Sequence, residues 1–179
     1  MSVARGHSAA RHASVTVTAC SALSIPSPSV RPHRSARRTT STSSACLAAR
    51  SALRLDEGDE VYEVRRIRLA DGRPIVLERS LFPAFRFPGM LDCRLDGSLY
   101  ELLEEKYGLR PHRARECLEP VTAGVREAEA LEVAEGAPLM QVERTAYART
   151  GEPLEFARDL FRGDRTRVVV WTSELAGDI

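Results

Sequence analysis

Apolar and polar residues alternate along 60–69 and again along 73–81, the period of half-buried strands, and Ala70-Asp71-Gly72 between them supplies a turn. A connection rich in Pro and Phe follows over 82–89. The spacing then changes to that of a helix over 98–107, with Leu99, Leu102 and Leu103 on one side and Glu101, Glu104 and Glu105 on the other. Ser98 followed by Glu101 fits a capping box, and Gly108 fits the left-handed stop. Further along, the pattern predicts strands over 113–122, 138–148, 153–161 and 167–172, a short acidic helix over 126–133, and a turn at Arg149-Thr150-Gly151. Strands joined by local hairpins, without alternating strand–helix–strand units, predict an α+β fold: an antiparallel sheet of about six strands with flanking helices.

The two hairpins resemble each other at a constant offset of 79 residues. Gly72-Arg73-Pro74-Ile75 returns as Gly151-Glu152-Pro153-Leu154, and Arg79-Ser80-Leu81-Phe82 returns as Arg158-Asp159-Leu160-Phe161. Arg65 likewise returns as Arg144. Two related hairpins packed about a pseudo-twofold would leave a concavity where a ligand can bind. Shared hairpin grammar, Gly in the turn and Pro after it, is the plainer explanation.

The first 50 residues break the pattern. They are almost wholly Ser, Thr, Ala, Arg, Pro and Val, with no aromatic residue, and stretches such as Thr39-Thr40-Ser41-Thr42-Ser43-Ser44 carry neither period. Too little apolar surface is present to offset the ordering entropy, so residues 1–52 are expected to be a disordered extension and 53–175 the folded domain, with order beginning near Leu55. Three origins compete for the extension: an organelle-type leader, a basic tail, or upstream DNA translated from a wrong start or frame.

Charge sharpens the division. The extension holds seven arginines and no Asp, Glu or Lys, whereas the remaining 19 basic residues stand against all 25 acidic ones, a net charge of −6. So acidic a body has no electrostatic reason to bind DNA. No apolar run approaches the roughly 20 residues of a membrane helix. Cys20, Cys46, Cys93 and Cys117 are scattered without metal-ligand spacing, which suits free thiols in a reducing cytoplasm. No cofactor or metal is called for.

Side-chain alternation supplies the candidate chemistry. With a three-residue loop, Arg68 faces Pro74 and Arg66 faces Val76, so that Ile67, Leu69, Ile75 and Leu77 share an apolar face while Arg66, Arg68 and Glu78 lie on the other. The same construction puts Glu155 of the second hairpin on the side of Thr145 and Tyr147. Arginines at i and i+2 on one face form a pair of fork donors suited to a phosphate or carboxylate, and the start of the helix at Ser98 offers free amides. A solvated polar face, with Ser98 acting only as a cap, is the competing reading.

At this point several short motifs, in order, resemble one family. They are Arg66-Ile67-Arg68-Leu69-Ala70-Asp71-Gly72-Arg73-Pro74-Ile75, Gly97-Ser98-Leu99-Tyr100-Glu101-Leu102-Leu103-Glu104, Val142-Glu143-Arg144, and Leu160-Phe161-Arg162-Gly163-Asp164-Arg165. From about Leu55 to Thr172 they are similar to the UTRA domain, the effector-sensing half of HutC-type regulators of the GntR family. The resemblance implies a chorismate-lyase-like fold, a cytoplasmic homodimer, and a small, anionic effector such as a sugar phosphate or carboxylate. It implies that Arg66, Arg68, Ser98 and Tyr100 contact the anionic group, and that Glu78 and Glu155 face the organic part. Phe161 stands where many members have Tyr, which removes one hydroxyl contact.

Members of that family carry a winged helix-turn-helix upstream, and residues 1–50 offer no recognition-helix pattern, so DNA binding is expected only through a domain outside this chain, as in a truncated or frameshifted regulator. The shared fold keeps a chorismate-lyase-like enzyme as an alternative, and a freestanding binding protein as another. No nucleophile constellation is readable: His112 is the body's only His, and neither Cys93 nor Cys117 has a partner by spacing.

Overall fold

A computed structural model describes residues 30–40 and 47–169 of the chain. Its elements are β1 (Val30–Thr40), α1 (Leu47–Leu53), β2 (Glu60–Ala70), β3 (Arg73–Pro83), a 3₁₀ turn (Met90–Asp92), α2 (Leu99–Tyr107), β4 (Arg113–Thr122), α3 (Val125–Leu131), β5 (Pro138–Tyr147) and β6 (Pro153–Arg162). The strands form one antiparallel sheet in the order β1-β2-β3-β6-β5-β4. This is the α+β architecture the alternation predicts. No helix among the described residues is long and apolar enough to cross a membrane.

The order reads the same from either end once the hairpins β2–β3 and β5–β6 are exchanged. At the seam between β3 and β6, Leu77 pairs with Leu160 and Leu81 with Phe156. Shifting by 79 residues converts one pair into the other, so the repeat in sequence is a local twofold in the sheet. The hairpins meet edge to edge, and the gap expected between them is filled by hydrogen-bonded backbone. The residues of interest lie on a sheet face across that seam.

Two corrections concern the elements. The sixth strand is β1, within the expected disordered extension, whereas Arg167–Val169 at the start of the expected last strand are irregular; residues 170–179 lie outside the described residues. An edge strand needs little apolar surface when its backbone pairs with a neighbour, and β1 does so along β2 from Val30–Arg68 to Thr40–Glu60. Helix α1 also falls upstream of the expected boundary, and it buries Ala49 and Leu53 against Val61, Leu81 and Phe156. Composition averaged over 50 residues hid a short helix whose apolar residues are spaced i, i+4. The rest of the extension, 1–29 and 41–46, lies outside the described residues.

A third correction concerns register. Asp71 and Gly72, both at positive φ (51° and 75°), make a two-residue turn, with Ala70 paired to Arg73. A bulge then restores the alternation: Leu69 pairs with Pro74 but Arg68 with Val76, leaving Ile75 over. Arg66 therefore faces Glu78, not Val76, and Arg68 faces Val76, not Pro74. The second hairpin bulges at the matching place, and Glu155 pairs with Ala146 instead of lying on the side of Thr145 and Tyr147.

The sheet has two covered faces. On the first, α2 buries Leu99 and Leu103 against Tyr62, Val64, Phe82, Phe87 and Met90. On the opposite face α1 covers Leu81 and Phe156, and α3 covers Leu77 and Leu160 with Ala128, Leu131 and Leu139.

Candidate functional site

The apolar packing under α2 stops where the side chains of β2, β3, β5 and β6 become charged. On this first face Val64 is followed by Arg66 and Arg68, and Phe82 by Ser80, Glu78 and Val76. On β6 the same face carries Glu155, Asp159 and Phe161, and on β5 it carries Arg144 opposite Ala157.

Arg66 is buried and fully engaged. Its Nε donates to Glu78 Oε2 at 2.8 Å, its Nη2 lies 2.6 Å from the same oxygen, and its Nη1 donates to the carbonyls of Leu95 (3.2 Å) and Gly97 (2.8 Å). Those carbonyls belong to the loop that leads into α2, so Arg66 fixes the helix start to the sheet. Arg68 differs. Among the described residues it gives one hydrogen bond, Nη1 to Glu78 Oε1 at 3.2 Å, and its side chain is 36% exposed against 9% for Arg66. Of the expected fork donors, Arg68 is the one with donors to spare.

Ser98 is exposed and accepts the amide of Glu101 at 3.3 Å, the N-cap that its spacing predicts. Gly108 closes the helix in the left-handed conformation, taking the carbonyls of Leu103 and Glu104. Two residues after the cap, Tyr100 donates its hydroxyl hydrogen to Glu155 Oε2 at 2.6 Å. Glu155 is 2% exposed. Burial, and then the negative charge of Glu155, push the Tyr100 phenol well above its ordinary range, which keeps it a donor. Phe161, half-buried, pairs with Val76 on one side and Met140 on the other. All seven expected residues therefore belong to one face or to the helix that starts above it.

Arg144 and Asp159 join them, and site reasoning from sequence missed both. Arg144 Nη2 donates to Asp159 Oδ2 at 3.1 Å, and its Nη1 lies 3.6 Å from Glu116. Its Nε lies 3.6 Å from Glu155 Oε2, is buried, and has no hydrogen-bond partner among the described residues. Burial opposes its charge, but Glu155, Asp159 and Glu116 outweigh burial and hold the guanidinium protonated. Burial pushes the Asp159 carboxyl up to about 7 against the pull of Arg144, and Glu78 and Glu155 add to the rise. The signal was available. Residues 155, 159 and 161 share parity along one strand, and Arg144 stood in both the repeat and the Val142-Glu143-Arg144 motif.

The face thus holds three arginines among four carboxylates, with one exposed guanidinium, one exposed helix start and one buried donor left unpaired. Such a set has the donors and acceptors to hold and orient a polar molecule.

Comparison with known proteins identifies the domain family. The model of the UTRA domain matches residues 41–167. The HTH-type transcriptional repressor NagR of Bacillus subtilis (strain 168) is 32% identical over 117 residues, 65% of this chain and 48% of NagR. The HTH-type transcriptional repressor PhnF of Mycolicibacterium smegmatis is 29% identical over 114 residues, 63% of this chain and 46% of that protein. The chain spans about half the length of the curated relatives it matches. Among solved structures, a GntR-family transcriptional regulator from Enterococcus faecalis V583 superposes with a TM-score of 0.71 at 26% identity, over 80% of this chain and all of that one.

Proposed function

The chain belongs to the UTRA domain family, and from that premise we propose that it senses a small anionic metabolite and transmits its presence to DNA binding as part of a GntR-type, HutC-like regulator. The ligand is a sugar phosphate or carboxylate. Arg68 takes its anionic group, with Ser98 and Tyr100 at the start of α2 beside it, while Glu78, Glu155 and Phe161 face its organic part. Arg66 acts beneath them, holding Glu78 and the α2 loop in place. The protein works in the cytoplasm as a homodimer, without cofactor and without turnover: the ligand favours one dimer geometry, and an attached helix-turn-helix reads the change.

The observation that carries this reading is the contrast between Arg66 and Arg68. All three nitrogens of one guanidinium meet protein acceptors, and its neighbour on the same face keeps donors that no described residue takes, in a half-open position. The unpaired Arg144 Nε beside Glu155 is a second reason to expect a polar guest, because a buried donor without a partner is costly.

Titration calorimetry of the full chain with glucosamine 6-phosphate, glucose 6-phosphate and gluconate, set against glucosamine and glucose, tests the proposal. At least one charged compound is expected to bind saturably where its uncharged counterpart does not, and Arg68→Gln is expected to cost tenfold or more. Equal binding of charged and uncharged partners, or an Arg68→Gln protein that binds like the wild type, overturns it.

A further inference from the structure

The opposite face of the sheet carries a second concentration of guanidiniums that the first site does not use. Arg65 on β2 pairs with Arg79 on β3. The flanking pairs Leu77–Leu160 and Leu81–Phe156 bracket Arg79 and Arg158 and set them opposite each other across the seam. Arg158 in turn pairs with Glu143 on β5. Three arginines therefore stand side by side on three adjacent strands, at the local twofold of the sheet. Like charges directly opposite one another destabilise a sheet, so this row is not a neutral filling of a polar strip.

The row lies in the strip between the two helices. The residues on one side of it, Leu81 and Phe156, are covered by α1, and those on the other, Leu77 and Leu160, by α3. The arginines stay accessible: the side chains of Arg65, Arg79 and Arg158 are 39%, 21% and 38% exposed.

Two carboxylates offset part of the charge. Glu63, 1% exposed, accepts from Arg65 Nε (3.0 Å) and Nη2 (2.9 Å), Arg79 Nε (2.6 Å) and Arg37 Nε (2.7 Å). Glu143 accepts from Arg158 Nε at 2.9 Å. Four guanidiniums thus meet two carboxylates, leaving an excess of two positive charges. Glu63 holds Arg79 by its Nε, and among the described residues the two terminal nitrogens of Arg79 make no hydrogen bond.

We propose that the row Arg65, Arg79 and Arg158 is a second anion site, on the sheet face away from the effector site, built for a compact, multiply charged oxyanion. Glu63 acts as its brace: by holding Arg65 at Nε and Nη2 and Arg79 at Nε it fixes both guanidiniums, so little rotamer entropy remains to be lost on binding. Forked guanidiniums about one strand spacing apart, roughly 4.8 Å, match an anion that presents several oxygens to neighbouring donors better than they match a single carboxylate. A ligand here bridges β3 and β6, and with them the two halves of the repeat.

The test is titration calorimetry on the full chain at matched ionic strength, with inorganic pyrophosphate, tripolyphosphate and citrate as probes and acetate as the singly charged control. Wild type, Arg79→Gln, Arg158→Gln and Arg68→Gln are compared, each first checked for a cooperative melt. Saturable binding of a multiply charged probe is expected, weakened at least tenfold by both Arg79→Gln and Arg158→Gln and left within twofold by Arg68→Gln. Arg158→Gln does not touch the Glu63 brace, so a folding defect in Arg79→Gln leaves the test intact. Pyrophosphate against citrate separates a phosphate-bearing ligand from a polycarboxylate. Absence of saturable binding, indifference to both substitutions on this face, or dependence on Arg68 instead overturns the proposal; the first two leave the effector site untouched, and the third assigns the probe to it.

Discussion

Tyr100 on α2 and Glu155 on β6, 55 residues apart, share a 2.6 Å hydrogen bond that ties the helix covering the first face to the inner strand of the second hairpin. The acceptor is 2% exposed, and its other polar neighbour, Arg144 Nε, stands off at 3.6 Å. Tyr100→Phe keeps the ring and removes the one strong donor to that carboxylate. A loss of about 1–3 kcal/mol in urea denaturation is expected; an unchanged midpoint means that Glu155 is satisfied in some other way.

The two arginines of the first face should separate stability from binding. Arg66→Ala leaves Glu78 with only its 3.2 Å contact to Arg68 and strands two loop carbonyls, and breaking a buried pair by removing one partner costs about 3–5 kcal/mol. Arg68→Ala removes one 3.2 Å contact from a half-exposed position and should cost about 1 kcal/mol or less. The order reverses for ligand, where Arg68→Ala should lose about 1.5–3 kcal/mol of affinity for an anionic effector. Hydrogen exchange at residues 95–99 should accelerate in the first variant and not in the second.

Helix α1 belongs to the folded unit. Leu53→Ala opens a cavity against Val61, Leu81 and Phe156 and should destabilise by about 2–4 kcal/mol. A chain that starts at Leu53 loses β1 and the rest of α1, Ala49 included, and should melt at a lower temperature than the full chain. Coincident melting curves would show that neither β1 nor α1 adds to stability.

Two buried carboxylates should shape the pH profile of stability in opposite senses. Burial alone would raise Glu63, but the guanidiniums of Arg79, Arg37 and Arg65 outweigh it and lower the group to about 2. Its contribution is present above its unfolded value near 4.5 and fades as pH falls towards 2. Asp159 is raised to about 7 from 3.8, so the folded state holds its proton more tightly, and stability falls as pH rises from about 4 to 7. Chemical denaturation across pH 2–8 should therefore peak near pH 4–5. Asp159→Asn should flatten the limb above the peak and Glu63→Gln the limb below it; a wild-type profile that keeps rising to pH 7 would contradict the Asp159 assignment.

Most strands, both helices after residue 90 and the capping of α2 were legible because each rests on short-range rules: alternation, Gly at left-handed stops, Ser before Glu at an N-cap. The two hairpins were legible as well, down to their repeat. What failed was the pairing inside them. In the first hairpin a two-residue turn with a bulge and a three-residue turn without one keep the same residues on the same face, so the pattern of apolar positions cannot separate them, and Arg66 was matched to the wrong neighbour. In the second, the bulge slips the register by one and sets Glu155 beside Ala146. Strand β1 was missed for a related reason. Its ordering comes from backbone pairing with β2, which leaves no apolar signature.

The sequence by itself determined which side chains share a face of the first hairpin, since alternation along a strand is a local property of the backbone, and through its motifs it determined the family; in the second hairpin the bulge moved Glu155 off the expected side. Only the tertiary structure decided which charges meet. Arg66 is saturated by Glu78 and the α2 loop, Arg68 is left with donors free, and Arg144 and Asp159 enter the same face from the other hairpin. These differences arise from contacts between strands and helices far apart in the chain, where burial and the neighbours' charges set what each group can still bind.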